Sequence, residues 1–261
     1  MVAEPIRFTK AKNLIASFIT SDLIGWIIGN IFRDNIPSHN LPVNIQWASS
    51  KIKASIFFRI YESAEIKFIK QYLPYNIDVI ELGSSLGILS SHIATQITDN
   101  HRLVCVEANP KLLDSIESNL QLNAKHLLTY NIVNAAIDYR GKDEIDFFLG
   151  DQTTTSSTTQ ITEQKQAIKS TTLSQIVKNF NFKKYALVMD IEGAEIDLFL
   201  YETEVLKQCD LIIAELHEGR SLVSGVFMSV NDLIQLISTR GFALSKQRGS
   251  VVFFEKSKIM I

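Results

Sequence analysis

Apolar residues fall into two regimes along the chain. The first regime is helical. Leu14 to Phe32, LIASFITSDLIGWIIGNIF, is an apolar run long enough to approach a bilayer span, with Lys10 and Lys12 before it and Arg33 after it. Asp22, beside Thr20 and Ser21, disfavours insertion by roughly 2.5–3.5 kcal/mol. A helix packed on the domain or on a second copy is therefore expected, with membrane-surface association through residues 14–32 as the alternative. Gly25 and Gly29 form a GxxxG spacing that allows close helix approach. The prolines and Asn40 of IPSHNLP (36–42) predict a loop. IKASIFFRI is rich in β-branched and aromatic residues, whereas YESAEIKFIKQYL carries apolar side chains at helical spacing until Pro74 stops it.

From Asp78 strands and helices alternate. DVIELG (78–83), RLVCVEA (102–108), YNIVNAAI (130–137), ALVMDIE (186–192) and LIIAELH (211–217) are short apolar runs. LGILSSHIATQI (86–97), KLLDSIESNLQLN (111–123), a segment near 171–180, one from Ala194 to about Lys207, and VNDLIQLIST (230–239) read as helices. EIDFFLG (144–150) is an additional strand, and seven consecutive Ser and Thr residues, Thr153 to Thr159, form a loop. GFALSKQ and SVVFFEK around RGS are expected to form an antiparallel hairpin or a neighbouring pair of strands at the sheet edge. The alternation predicts an α/β, Rossmann-like fold, a mostly parallel sheet with helices on both faces. The division expected is a helical N-terminal extension, 1–73, and a main domain, 74–261.

Composition narrows the class without naming a partner. Of 261 residues, 46% are hydrophobic and 21% charged, with 26 basic against 28 acidic side chains, which excludes a disordered polymer and argues against a nucleic-acid platform. The two cysteines, Cys105 and Cys209, lie far apart inside apolar runs, so a cytoplasmic setting without a disulfide framework is expected. MVAEPIRFTK lacks the features of a cleavable signal.

Candidate chemistry sits at strand ends, where open parallel sheets bind ligands. Gly83 and Gly87 flank a turn in which backbone can approach a ligand, with Ser84 between them. The turn lacks the third glycine of a dinucleotide fingerprint, and Glu81 before it favours a cationic group over a diphosphate. About twenty residues on, Glu107 can accept both hydroxyl hydrogens of a ribose, Ala108 leaves room for an adenine, and Asn109 lies beside it. The bland reading of Glu107 is a charge at a helix start.

These residues and their neighbours carry a resemblance. The IELG turn, VEANP, NAAI, the TTL helix entrance and above all MDIEGAE followed by ELH resemble the FkbM family of S-adenosylmethionine-dependent methyltransferases, over roughly residues 60 to 220. Met189 departs from it, since the family often carries lysine before the aspartate. The resemblance implies a seven-stranded class I methyltransferase sheet with S-adenosylmethionine across its rim. Glu81, Gly83, Ser84 and Gly87 would line its methionine end, Glu107 would hold its ribose with Asn109 beside it, Asn134 and Ala135 would border its adenine, and Ala108 leaves room for that ring. It implies O-methylation of a sugar, glycan or small natural product.

An in-line methyl transfer needs alignment and a proton acceptor. Asp190 and His217, ending adjacent strands, are the candidates, His217 because an imidazole with an unperturbed pKa near 6.5 is neutral and basic at pH 7. Helix capping is the competing role for Asp190, and dipole complementation for Glu192 and Glu195. Glu62, Glu192 and Glu215 are candidate acceptor contacts, with Glu62 and Glu65 sharing a helix face. Asp190, Glu192, Glu215 and His217 offer donors suited to magnesium or manganese, but their spacing is no metal motif, and no metal is expected. His39, His92, His101 and His126 show no partner pattern. A nicotinamide oxidoreductase and a cofactor-binding module without activity are the alternatives.

Overall fold

The computed structural model describes residues 19–33, 35–125, 127–149 and 164–257. The chain divides into two compact units, Met1–Ser63 and Ala64–Ile261, ten residues before the boundary expected from sequence. The first holds helix α1 (Asp22–Phe32), strands β1 (Asn35–Ser38) and β2 (Leu41–Asn44), and helix α2 (Ser50–Phe57). Three expectations change there. The stretch read as a proline loop is an antiparallel hairpin, Pro37 opposite Pro42, whose turn is made by His39 and Asn40 at positive φ. In a two-stranded ribbon both strands are edges, so prolines cost little pairing. The β-branched stretch after Ala48 is helix α2, started by Ser49 accepting from the Ile52 amide. Asp22 lies in the first turn of α1, after the N-cap Ser21, rather than mid-helix.

In the second unit, α3 (Ser63–Tyr72) leads into β3 (Asp78–Leu82), α4 (Ile88–Gln96), β4 (Arg102–Glu107), α5 (Leu113–Asn123) and β5 (Thr129–Asn134). The helix expected from Tyr61 starts two residues later, leaving Glu62 in a left-handed turn at φ 48°. Tyr72 stacks on Phe253 at 4.6 Å, which explains why α3 belongs to this unit. Then come β6 (Ala136–Ile137), β7 (Glu144–Leu149), β8 (Gln164–Thr171), α6 (Leu173–Asn179), β9 (Tyr185–Met189), α7 (Glu195–Tyr201) and β10 (Cys209–Glu215). The chain closes with β11 (Gly219–Arg220), β12 (Phe227–Met228), α8 (Val230–Thr239), β13 (Phe242–Arg248) and β14 (Val251–Lys256).

The main sheet has seven strands in the order β13-β14-β10-β9-β3-β4-β5, parallel from β10 to β5, with β14 and β13 antiparallel. The chain builds outward from β3 to β5 and returns to β9 on the other side of β3. Strand order thus reverses between β3 and β9, the place where open α/β sheets bind ligands. Helices cover both faces, and α4 is buried on every side from Ile88 to Ala94 rather than amphipathic. β7 lies outside this sheet, in a three-stranded one of order β6-β8-β7, and β8 has no counterpart in the sequence reading. The Thr153–Thr159 run, His126 and Leu14 to Phe18 lie outside the described residues.

Candidate active site

The turn after β3 is shaped by close approach. Gly83 (φ 83°) has Asp190 O only 1.8 Å from where a Cβ would stand, and a Cβ on Gly87 (φ 77°) would meet Ile116 Cα at 2.7 Å. The Asp190 amide donates to Leu82 O at 3.0 Å, and the Gly83 amide to Val106 O at 2.9 Å. Three strand ends are thereby locked together.

Glu107, at the end of β4, is buried and accepts from the Ser85 amide at 2.8 Å and the Asn109 amide at 2.7 Å, one on each oxygen. A carboxylate offers about four acceptor sites, so the group keeps capacity for a further donor. Burial raises its pKa, the backbone bonds of Asn109, Ser85 and Ala108 oppose the rise, and the Glu81 charge adds to it. Asn109 also caps the turn starting at Pro110, its Oδ1 accepting from the Lys111 amide at 3.1 Å. Asn134 Nδ2 donates to Glu107 O and Ala108 O at 2.8 and 3.0 Å, and the Ala135 amide donates to Glu107 O at 3.1 Å. Asn134 and Ala135 are therefore fastened beside the Glu107 carboxylate through backbone.

Glu81 lies beneath the turn. Its Oε2 accepts from Ser84 Oγ at 3.0 Å, from Ser90 Oγ, and from Cys105 Sγ at 3.2 Å, while Oε1 is shut off from solvent with no hydrogen-bond partner. Burial pushes its pKa up. Ser90 and Cys105 are partners that sequence reasoning missed.

The other half of the rim is acidic. Fully buried Glu195 accepts the Ile191 amide on Oε1 at 3.0 Å and the Gly193 amide on Oε2 at 2.8 Å, folding the turn after β9 back on α7. The same Oε1 stands 3.2 Å from His217 Nδ1. This aims Nε2 at Asp190 Oδ1 and Glu192 Oε2, 3.9 and 3.8 Å away. Asp190 Oδ1 is sealed from solvent and accepts no hydrogen bond, and Glu192 holds a left-handed backbone at φ 53°. Glu215 accepts from Ser250 Oγ at 2.8 Å and is hydrogen-bonded by the buried Glu65 carboxyl.

So many carboxylates around one imidazole set its charge. The hydrogen bond that His217 donates to Glu195, helped by the charges of Glu195, Asp190 and Glu192, pushes the imidazole up to about 9, against the neutral histidine expected from sequence. The imidazole is protonated at pH 7. Burial, with the charge of Glu215, holds Asp190 well above the usual carboxylate range, and burial raises Glu192 and Glu65. Asp190, Glu192 and His217 offer atoms within 4.8 Å of one another, a spacing that could also hold a metal ion.

The structure brings Glu81, Gly83, Ser84, Glu107 and Asn134 to one side of the β3–β9 reversal and Asp190, Glu192, Glu195, Glu215 and His217 to the other. Glu62 belongs to the first unit. His101, unassigned from sequence, pairs with Asp78 at 3.2 Å. Glu195 is the main residue that sequence reasoning undervalued; its signal was the four-residue spacing from Ile191, which suits a side chain bonding back to its own turn.

Among solved structures, the chain is similar to the ribosomal protein L11 methylase of Lactobacillus delbrueckii subsp. bulgaricus, at 10% identity and a TM-score of 0.42, covering 77% of this chain and 80% of that one. It is also similar to M. capricolum TrmK in complex with S-adenosyl-homocysteine, at 8% identity and a TM-score of 0.41, covering 75% and 70%. No curated protein matches the sequence. The family described as the Methyltransferase FkbM domain matches residues 89–244, which span the Glu107 strand, the MDIEGAE turn and the His217 strand end. The chain belongs to the FkbM methyltransferase family and is an S-adenosylmethionine-dependent class I methyltransferase.

Proposed function

We propose that this enzyme methylates a hydroxyl oxygen of a sugar, glycan or small natural product in the cytoplasm. The observation that carries the reading is the contact of Gly83 with Asp190, which sets the glycine turn directly against the proton-handling corner. The chain's donors and acceptors fit S-adenosylmethionine: Glu107 keeps acceptor capacity beyond its backbone bonds, and buried carboxylates suit a sulfonium. Bound S-adenosylmethionine supplies a methyl group already activated by positive sulfur.

In this reading Glu107 accepts the two ribose hydroxyls, with Ala108, Asn109, Asn134 and Ala135 beside it. Gly83, Ser84 and Gly87 pass backbone along the methionine end, and Glu81 acts through the turn it holds. Asp190, made more basic by burial and by Glu215, accepts the hydroxyl proton. Protonated His217, fixed by Glu195, orients the acceptor oxygen, with Glu192 and Glu215 lining its approach. Two residues after His217, the β11–β12 hairpin is anchored by buried Asp197, which accepts from Ser221 Oγ at 2.5 Å and the Leu222 amide at 2.8 Å. Val223, Val226 and Phe227 are exposed on it, which suits an acceptor with an apolar part.

The test is incubation of purified enzyme with methyl-labelled S-adenosylmethionine and a metabolite extract, followed by mass spectrometry. A labelled methyl ether is expected. Label confined to nitrogen or sulfur, or no transfer to any acceptor while cofactor binds, would overturn oxygen as the target.

A further inference from the structure

α1 is built inside out for a soluble helix. Its inward side is made of glycines: a Cβ on Gly25 would stand 1.7 Å from Ser50 O, and one on Gly29 would meet Lys53 Cδ at 3.3 Å. Only Gly25 and Ile28 are buried. The large side chains point outward instead, with Leu23 65%, Trp26 62% and Ile31 68% exposed and Ile27 beside them. Spacings of three, four and eight residues put these four on one face. A water-facing stripe of this size on one short helix marks an interaction surface.

Charge identifies the partner. Residues 1–63 carry 7 Lys and Arg against 4 Asp and Glu, whereas residues 64–261 carry 19 against 24. The acidic chain has a basic first unit, with Arg33 at the end of α1 and Lys51 and Lys53 on the side of α1 that faces α2. Lys51 pairs with Asp22 at 3.8 Å, Lys53 lies along Gly29, and Arg33 follows the last turn. Among the described residues no helix is long and apolar enough to cross a membrane. An apolar face bearing tryptophan, bordered by lysine and arginine, is the composition of a helix lying in the plane of a bilayer, where the ring and aliphatic chains enter the acyl boundary and the cations stay with the headgroups.

We propose that α1 docks this enzyme onto an anionic phospholipid surface through Leu23, Trp26, Ile27 and Ile31, with Arg33, Lys51 and Lys53 meeting the headgroups. Docking is peripheral and reversible, and it is independent of the acceptor's identity.

The test is flotation of the full chain with vesicles of phosphatidylcholine alone and of phosphatidylcholine mixed with phosphatidylserine. Binding to the mixed vesicles, weakened by salt, is expected, with a blue shift of Trp26 emission in a Trp47→Phe background. Trp26→Ser with Ile31→Ser should weaken binding about tenfold or more, and Lys51→Gln with Lys53→Gln should reduce it on anionic vesicles. Trp26, Ile31 and Lys51 are exposed and Lys53 half-buried, and circular dichroism checks that the fold is kept. Three results would overturn the proposal: no flotation with either vesicle, equal binding with and without phosphatidylserine, or a dimer in light scattering that Ile31→Ser dissociates. The last would assign the stripe to a second copy.

Discussion

Glu195 Oε1 stands 3.2 Å from His217 Nδ1 while accepting the Ile191 amide hydrogen at 3.0 Å, so one buried oxygen ties the end of β10 to the turn after β9. Because that bond is the main reason His217 titrates near 9, Glu195→Gln should return the imidazole toward 6.5. Turnover should fall by about tenfold or more, with S-adenosylmethionine affinity unchanged. The sign of the stability effect follows from the raised value. The stabilisation is complete below about 6.5 and is lost as pH rises through about 9. Histidine NMR titration and melting curves between these pH values check it: wild type loses stability across the window, and the variant does so much less.

Glu107→Gln keeps the shape of the side chain but replaces one acceptor oxygen with a donor group. The Ser85 or Asn109 amide then loses its partner, and one ribose hydroxyl meets an NH2. Calorimetry should show S-adenosylmethionine binding weakened at least about tenfold, since leaving one buried polar group unpaired costs about 1–3 kcal/mol. Unchanged affinity would remove the ribose assignment.

The alternating part of the fold was legible because each central strand is short, apolar and followed by turn residues. Val230 to Thr239 is a helix with the bounds the sequence predicts, opened by a Ser229–Asp232 capping box. What escaped was set by tertiary context. β8, Gln164–Thr171, is largely polar because it serves a small sheet beside the main core, so it carries no buried-strand signal. The helix α2 wins over its β-branched content because Ile52, Ala54 and Ile56 are buried. At the site, sequence placed Glu107, Asp190 and His217 on one rim. It did not foresee the charge of His217, which depends on Glu195 arriving from a different element.

Gly83→Ala tests the junction between the two halves of the rim. An alanine there must take a φ of 83° and place its Cβ 1.8 Å from Asp190 O. The backbone conformation alone costs of order 1–3 kcal/mol, and the clash forces Leu82 and Asp190 apart. A melting temperature several degrees lower and loss of both cofactor binding and turnover are expected. Gly193→Ala is the control: at φ 102° the residue is also left-handed, but a Cβ there meets nothing within 4 Å. It should share the conformational cost without the clash, and so melt above Gly83→Ala.

Glu81 gives a pH dependence of the same sign as His217, in a window that opens at lower pH. Burial raises its pKa above 4.5 despite the bonds from Ser84, Ser90 and Cys105, so the folded chain holds this proton more tightly than the unfolded chain. Between 4.5 and the raised value the folded form therefore binds more protons, and its stability falls as pH rises through that window. Glu81→Gln cannot ionise and escapes the fall. Its amide leaves an NH2 where Oε1 has no partner, a cost that is the same at every pH. The melting temperature of the variant minus that of wild type should consequently increase as pH rises above 4.5 and level off once the buried carboxyl has ionised. A difference that stays flat across this range would mean that the buried carboxylate ionises as easily in the folded chain as in the unfolded one, and that the three donors around Oε2 fully offset its burial.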